Sequence, residues 1–130
     1  MPNYVDGFVV PVPKRKLQAY RQMARKAGQV WREHGALHYV ECVADDVKPG
    51  KVTSFPQSVK LKPGETVVFS WIVYTSRKHR DRVNAKVMKD PRLASMMDPK
   101  QHPFDAKRMF WGGFKVLVDL RPAGSGRSGR

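Results

Sequence analysis

Acidic residues and cysteines are what this chain has least of. Against 25 lysines and arginines stand only 11 aspartates and glutamates, a net charge of +14. A single cysteine, Cys42, excludes an intrachain disulfide and a cysteine-based zinc site, and suits a reducing compartment. No stretch approaches the roughly 18 consecutive apolar residues of a membrane span. The opening MPNYVDGFVVPVP has neither the basic region nor the long apolar run of a signal peptide. A cytoplasmic protein that does not engage a membrane is expected. Of the four histidines, His34, His38, His79 and His102, only the first two stand at helical spacing, and Gly35 breaks the helix between them. No metal site and no cofactor is expected, because a metal needs several convergent ligands.

What is abundant is positive charge. Part of it lies in the tail Arg121 to Arg130, RPAGSGRSGR, which has no acid and is expected to be disordered. The body, residues 1–120, keeps +11 and has the length of one domain with a real core. Such a field attracts anionic metabolites and nucleic acid alike. No RNA-binding sheet motif, GxxG loop or zinc-finger spacing accompanies it, so any nucleic-acid binding is expected to be non-specific and salt-sensitive.

YVDGFVVPVP reads as a first strand, Tyr4 to about Val12, because β-branched and aromatic residues dominate it. From Pro13, Leu17, Tyr20, Ala24, Ala27, Trp31 and His34 recur at spacings of three and four, one face of a helix that Gly35 stops. His34 suits the negative end of that helix. ALHYVECVADD, Ala36 to Asp46, alternates as a second strand with at least one buried face. SVKLKPGETVVFSWIVY holds two apolar runs around Lys62-Pro63-Gly64-Glu65, a type II turn signature. The second run, Thr66 to Tyr74, is expected to be a central strand. SRKHRDRVNAKVM starts a second helix capped by Ser76, and Pro91 ends it. A turn-rich segment with one short helix follows, then FKVLVDL, Phe114 to Leu120, as the last strand.

The order β-α-β-(β)-β-α-β predicts an α+β protein of split βαβ type, with two helices on one face of an antiparallel sheet. Two helices cover one face only. Yet Phe69, Trp71 and Val73 on one side, and Val68, Ile72 and Tyr74 on the other, make the central strand apolar on both. A homodimer burying the second face is the economical solution.

The stretches YVDGFVVPVP, GALHYVECVADDVKPGKVTSF, VVFSWIVY, HRDRVNAKVMKDPR and PFDAKRMFWGGF resemble those of the DUF1428 family, small bacterial proteins of the dimeric α+β barrel superfamily. The resemblance spans Tyr4 to Leu120. It implies a ferredoxin-like protomer and a homodimer whose sheets form a barrel. The superfamily's cofactor-free monooxygenases and small ligand-binding proteins make two alternatives, an oxygenase- or isomerase-like enzyme and a binder of a small, anionic molecule.

Two carboxylates sit among apolar strand residues. Asp6 lies beside Val5, Phe8 and Val9; Glu41 lies between Tyr39 and Val43. Each needs a partner, a raised pKa or a wet cavity. An ion pair with a base of the KRMFWGG segment is expected, and a catalytic or anchoring carboxylate is the alternative. Cys42 is expected to be buried as a small hydrophobe, and His79 to be solvated or paired with Asp81. The ligand-binding candidates are Trp71, Arg80, Asp105, Lys107, Arg108 and Trp111, basic and aromatic side chains suited to an anion pocket. The start of the second helix poses a puzzle, since Arg77, Lys78, Arg80 and Arg82 crowd the positive end of its dipole. Tertiary ion pairs are expected to offset the cost, with Arg80 reaching Asp105 and Asp81 orienting the helix start; Arg108 is the other partner open to Asp105, and a bound anion is the alternative.

Overall fold

The computed structural model describes residues 2–96 and 103–122. His102 and most of the basic tail, residues 123–130, lie outside them. Strand β1 (Tyr4–Pro13) passes through a single 3-10 turn into helix α1 (Leu17–Glu33), followed by β2 (His38–Val43) and a one-turn helix α2 (Phe55–Ser58). Strand β3 (Glu65–Tyr74), helix α3 (Arg77–Met88), helix α4 (Pro91–Met96) and strand β4 (Phe110–Lys115) complete the order. The strands form one antiparallel sheet, β2-β3-β1-β4, so the two ten-residue strands lie at its centre. This is the expected split βαβ arrangement.

Alternation divides the two faces. Tyr4, Asp6, Phe8, Val10 and Val12 of β1 stand opposite Tyr74, Ile72, Ser70, Val68 and Thr66 of β3. That face packs against the helices: Val10, Val12 and Val68 meet Tyr20 and Ala24 of α1, while Tyr4, Ile72 and Tyr74 meet Val30, Val83, Val87 and Leu93. Helix α1 ends at Gly35, whose φ of 118° only glycine adopts freely. Its amide donates to Arg32 O and that of Ala36 to Trp31 O, the hydrogen bonds of a Schellman stop. Ser76 caps α3, its hydroxyl accepting from the His79 amide at 3.1 Å. Gly64, at φ 84°, occupies the third position of the anticipated turn, and the Glu65 amide donates to Lys62 O.

Among the described residues the reverse face is covered at one end, where Val59 packs on Val9 and Val67 beside Leu61 and Ala44. Elsewhere it is apolar and open. Phe69, Phe110 and Phe114 are 42%, 47% and 65% exposed, and Phe55, Phe69 and Trp71 join ring to ring at 5.8 and 5.6 Å.

Four expectations need correction. The apolar run near Val59 is not a strand: Ser54 caps the short helix α2, and Lys60 takes a left-handed φ of 49° that interrupts extended chain. Strand β4 begins at Phe110 and ends at Lys115, because its register against β1 sets Gly112 and Gly113 opposite Gly7 and Asp6. Leu117 and Leu120 lie beyond the sheet and are exposed. Strand β2 is shorter than anticipated and forms the opposite edge. Cys42 is exposed, because its side of that edge strand is the uncovered one.

Among the described residues, no helix is long and apolar enough to cross a membrane.

Candidate functional site

The two carboxylates singled out in the sequence occupy different environments. Glu41 of β2 pairs in register with Ser70 of β3 and points toward the helices. No lysine or arginine makes an ion pair with it among the described residues, which corrects the expectation of a basic partner. Two phenols take that place. Tyr20 of α1 donates to Oε1 and Tyr39 to Oε2, both at 2.6 Å. Tyr39 reaches it because residues two apart on a strand share a face. Trp31 leans on the Tyr39 ring at 6.1 Å, and Phe104 meets Tyr20 edge-on at 5.7 Å. Gly28 makes room for this clamp: a Cβ there would sit 2.7 Å from Tyr39 Cδ1.

Burial pushes the Glu41 carboxyl above its ordinary range, and the two phenolic hydrogen bonds only partly oppose that shift. Burial, followed by the charge of Glu41, likewise drives both phenols upward, so they remain donors. A carboxyl whose pKa is raised in the folded protein favours folding most when protonated. That stability is complete below the unfolded value near 4.5 and is lost as pH rises through the folded value. Glu41→Gln, a neutral mimic, is therefore expected to raise the melting temperature at pH 8. The gain corresponds to about 1.4 kcal/mol for each unit of upward shift, and should vanish near pH 4. Thermal melts across this range check it; a loss of stability at pH 8 would show that the clamp requires the ionised carboxylate.

Two concavities meet at Glu41. The inner cavity, about 180 Å3, lies between sheet and helices and is bounded by Phe8, Met23, Ala27, Trp31, Met96 and Met109, with Ser70, Glu41 and the two tyrosines among its lining. The outer cleft, about 480 Å3, runs between α1 and β2, past Arg21, Arg25 and Arg32. Tyr20, Tyr39 and Glu41 line both.

Asp6 serves a different purpose. It is 1% exposed and faces Arg80 of α3, whose Nε lies 3.4 Å from Oδ1. Among the described residues neither of those two atoms has a hydrogen bond, so the pairing is Coulombic. Tyr74 and Asn84 stand beside the Asp6 carboxylate and favour its ionised form. Asn84 Oδ1 in turn accepts from Trp31 Nε1 at 3.0 Å. The Tyr74 hydroxyl donates to Asn84 Oδ1 at 3.4 Å. Burial raises the Asp6 pKa and the Arg80 charge opposes it. Arg80 also bonds Asp81 at 3.1 Å and the Tyr4 hydroxyl at 3.0 Å, and lies over the Tyr4 ring. Gly113 is needed here, since a Cβ would fall 2.3 Å from Arg80 Nη2.

Helix α3 thus begins on cations because Arg80 turns inward to Asp6. Asp81 orients the helix start by pairing with Arg80 and, at 3.9 Å, with Arg77. Asp105 is not the partner of Arg80; it pairs with Arg108 at 2.9 Å. Arg108 grips Glu65 through both guanidinium nitrogens and donates to the carbonyls of Val59 and Lys60. It fastens the turn before β3. Lys107 is exposed beside it. His79 is neither solvated nor bound to Asp81: its Nδ1 accepts from the Thr75 amide at 2.9 Å. His34 pairs with Asp90 at 2.8 Å.

The six ligand-binding candidates are therefore dispersed. Trp71 lies on the open sheet face, Arg80 beside Asp6, and Asp105, Lys107 and Arg108 at the turn. Trp111 stacks on Phe8 at the β4 edge. The cavities instead gather Glu41 with Tyr20, Tyr39, Arg21, Arg25 and Gly28. In sequence Tyr20 reads only as part of an apolar stripe. The Tyr-x-Glu alternation of Tyr39 and Glu41 is the signal that was there to find.

Four antiparallel strands in this order with helices on one face define a ferredoxin-like α+β protein. The chain belongs to the family described as "Protein of unknown function (DUF1428)", whose model matches residues 3–106. The uncharacterized protein YbaA of Escherichia coli K12 is 53% identical over 117 residues, covering 90% of this chain and 98% of that relative. The Shigella flexneri protein matches equally. Among solved structures, a dimeric ferredoxin-like protein from an uncultured marine organism superposes with a TM-score of 0.58 at 8% identity, covering 95% of each chain. A nipsnap family protein with unknown function from Agrobacterium tumefaciens gives 0.54 at 12% identity, over 88% of this chain and 87% of that one.

Proposed function

We propose that this chain is a homodimeric, cytoplasmic small-molecule-binding protein whose site is formed by the two concavities that meet at Glu41. The observation that carries the reading is a half-buried carboxyl with no cation partner among the described residues, held by two phenols at the junction of an apolar cavity and an open cleft. Apolar walls around a few convergent polar groups are the usual composition of a small-ligand site. Each carboxylate oxygen has two acceptor positions, and the phenols fill one apiece. A compact apolar molecule with one hydroxyl or N–H fits the chemistry. Dimerisation through the open sheet face is supported by its exposed aromatics, and the marine fold neighbour is described as dimeric.

Ala27→Leu tests the cavity. It adds apolar bulk toward a 180 Å3 space, so stability is expected to be kept or raised while small aromatic alcohols and amides no longer quench Trp31 fluorescence. Unchanged binding in the variant would place the ligand elsewhere.

A second reading, proton-transfer catalysis of the isomerase type without a cofactor, is favoured by the same carboxyl. Its pKa is moved toward neutrality by burial, as a general base requires. Glu41→Gln would then abolish turnover while retaining binding.

A further inference from the structure

We propose that the outer cleft selects small organic anions, holding a carboxylate or phosphate head between Arg21 and Arg25 of α1 while the remainder of the molecule points toward Glu41. This rests on the cavity reading above and gives it a ligand class. Arg21, Arg25, Gly28 and Arg32 recur at intervals of four, three and four, so they form one stripe along α1, and that stripe lines the cleft. Arg32 is committed to the Ala36 carbonyl at 2.6 Å. Arg21 and Arg25 have no hydrogen bond or ion pair among the described residues. They stand one turn apart, with Cβ atoms about 5–6 Å from each other, so both guanidiniums can reach one oxyanion.

Among the described residues, no acid neutralises them. The only acid in α1 is Glu33, which is bound to Arg92 at 2.9 Å. The facing wall from Tyr39 to Val43 has Glu41 as its single ionisable carboxyl, and that group is occupied by the phenols. The cleft is therefore polar in one direction: cations at the rim, an acceptor at the floor, apolar side chains between. A molecule matching it has an anionic head, an apolar body and a donor at its far end. A reversed orientation sets like charges together at Glu41 and leaves the arginines unused.

Matched acid and amide pairs test this with the full-length chain. Ring compounds bearing one hydroxyl, as carboxylates and as the corresponding amides, are titrated against Trp31 fluorescence, with phenyl phosphates as a second anionic arm. The acids are expected to bind about tenfold or more tightly than the amides. Arg21→Gln with Arg25→Gln should bring that ratio toward one, with the loss falling mainly on the acids. Lys26→Gln, an exposed cation on the same helix, should leave the ratio intact. The phosphate arm shows which head the arginine pair prefers, and a preference for either over the amide supports the inference. Equal binding of acids and amides by the wild type overturns it, as does a Lys26→Gln effect as large as that of the double variant. In both cases amide binding that Ala27→Leu blocks keeps the cavity reading standing. Absence of binding by every acid and amide overturns both.

Discussion

Arg80→Ala is expected to destabilise the protein by about 3–5 kcal/mol at pH 7, the cost of leaving one member of a buried ion pair unpaired. Lys78→Ala, two residues earlier and exposed, should change stability by less than about 0.5 kcal/mol. The contrast follows from where the two cations end. Arg80 is the only cation within ion-pair reach of Asp6 among the described residues, and Asp6 is 1% exposed between β3 and β4. Among the described residues its Oδ1 has no hydrogen bond. Without Arg80 the carboxyl can escape only by taking up a proton. Its folded pKa then lies above the unfolded one, so the deficit is present at neutral pH and shrinks as pH falls toward 3.8. Asp6→Asn added to Arg80→Ala should recover much of the loss at pH 7, because it removes the stranded charge. Urea unfolding of the two single variants and the double variant, at pH 7 and pH 4.5, checks each step. Equal and negligible effects of Arg80→Ala and Lys78→Ala would show that the pair contributes nothing.

The sequence carried the information for this pair unevenly. Asp6 inside YVDGFVV and Arg80 after a Ser cap are both conspicuous, because each violates a local rule: a charge in a buried strand, a cation at a helix N-terminus. What joins them is the register of β1 between β3 and β4, which is decided by pairing across the sheet. The same limit explains strand β4. FKVLVDL has the stronger strand propensity, yet Phe110–Lys115 is the segment that pairs, and Gly113 within it provides the close approach that Tyr4 and Arg80 require. Helix α1 and the central strands were legible because their patterns are local and long. The Glu41 site was half legible: the strand alternation puts Tyr39 and Glu41 on one face, whereas Tyr20 arrives from a helix and only packing brings it there.

Trp71→Glu is expected to convert a dimer into a folded monomer. Trp71 lies at the middle of the open face, opposite Gly7 on one side and Val40 on the other, with its ring against Phe69. Two such sheets packed face to face stand about 10 Å apart, so a side chain in this position has no route to water. An unpaired carboxylate there costs several kcal/mol, and about 3–4 kcal/mol shifts a dimer dissociation constant by about two to three powers of ten. The protomer itself should survive. Its core lies on the helix side, around Val10, Val68, Ile72 and Tyr74, and Trp71 is only partly buried in the isolated chain, so the introduced carboxylate would be solvated there. Sedimentation at low micromolar concentration should therefore find wild type as a dimer and the variant as a monomer with an unchanged far-ultraviolet spectrum. Leu117→Glu, at a residue 94% exposed beyond the sheet, should remain dimeric. A wild-type monomer under these conditions, or a Trp71→Glu dimer of undiminished affinity, would mean that a second copy of the chain is not what covers the exposed aromatics of this face.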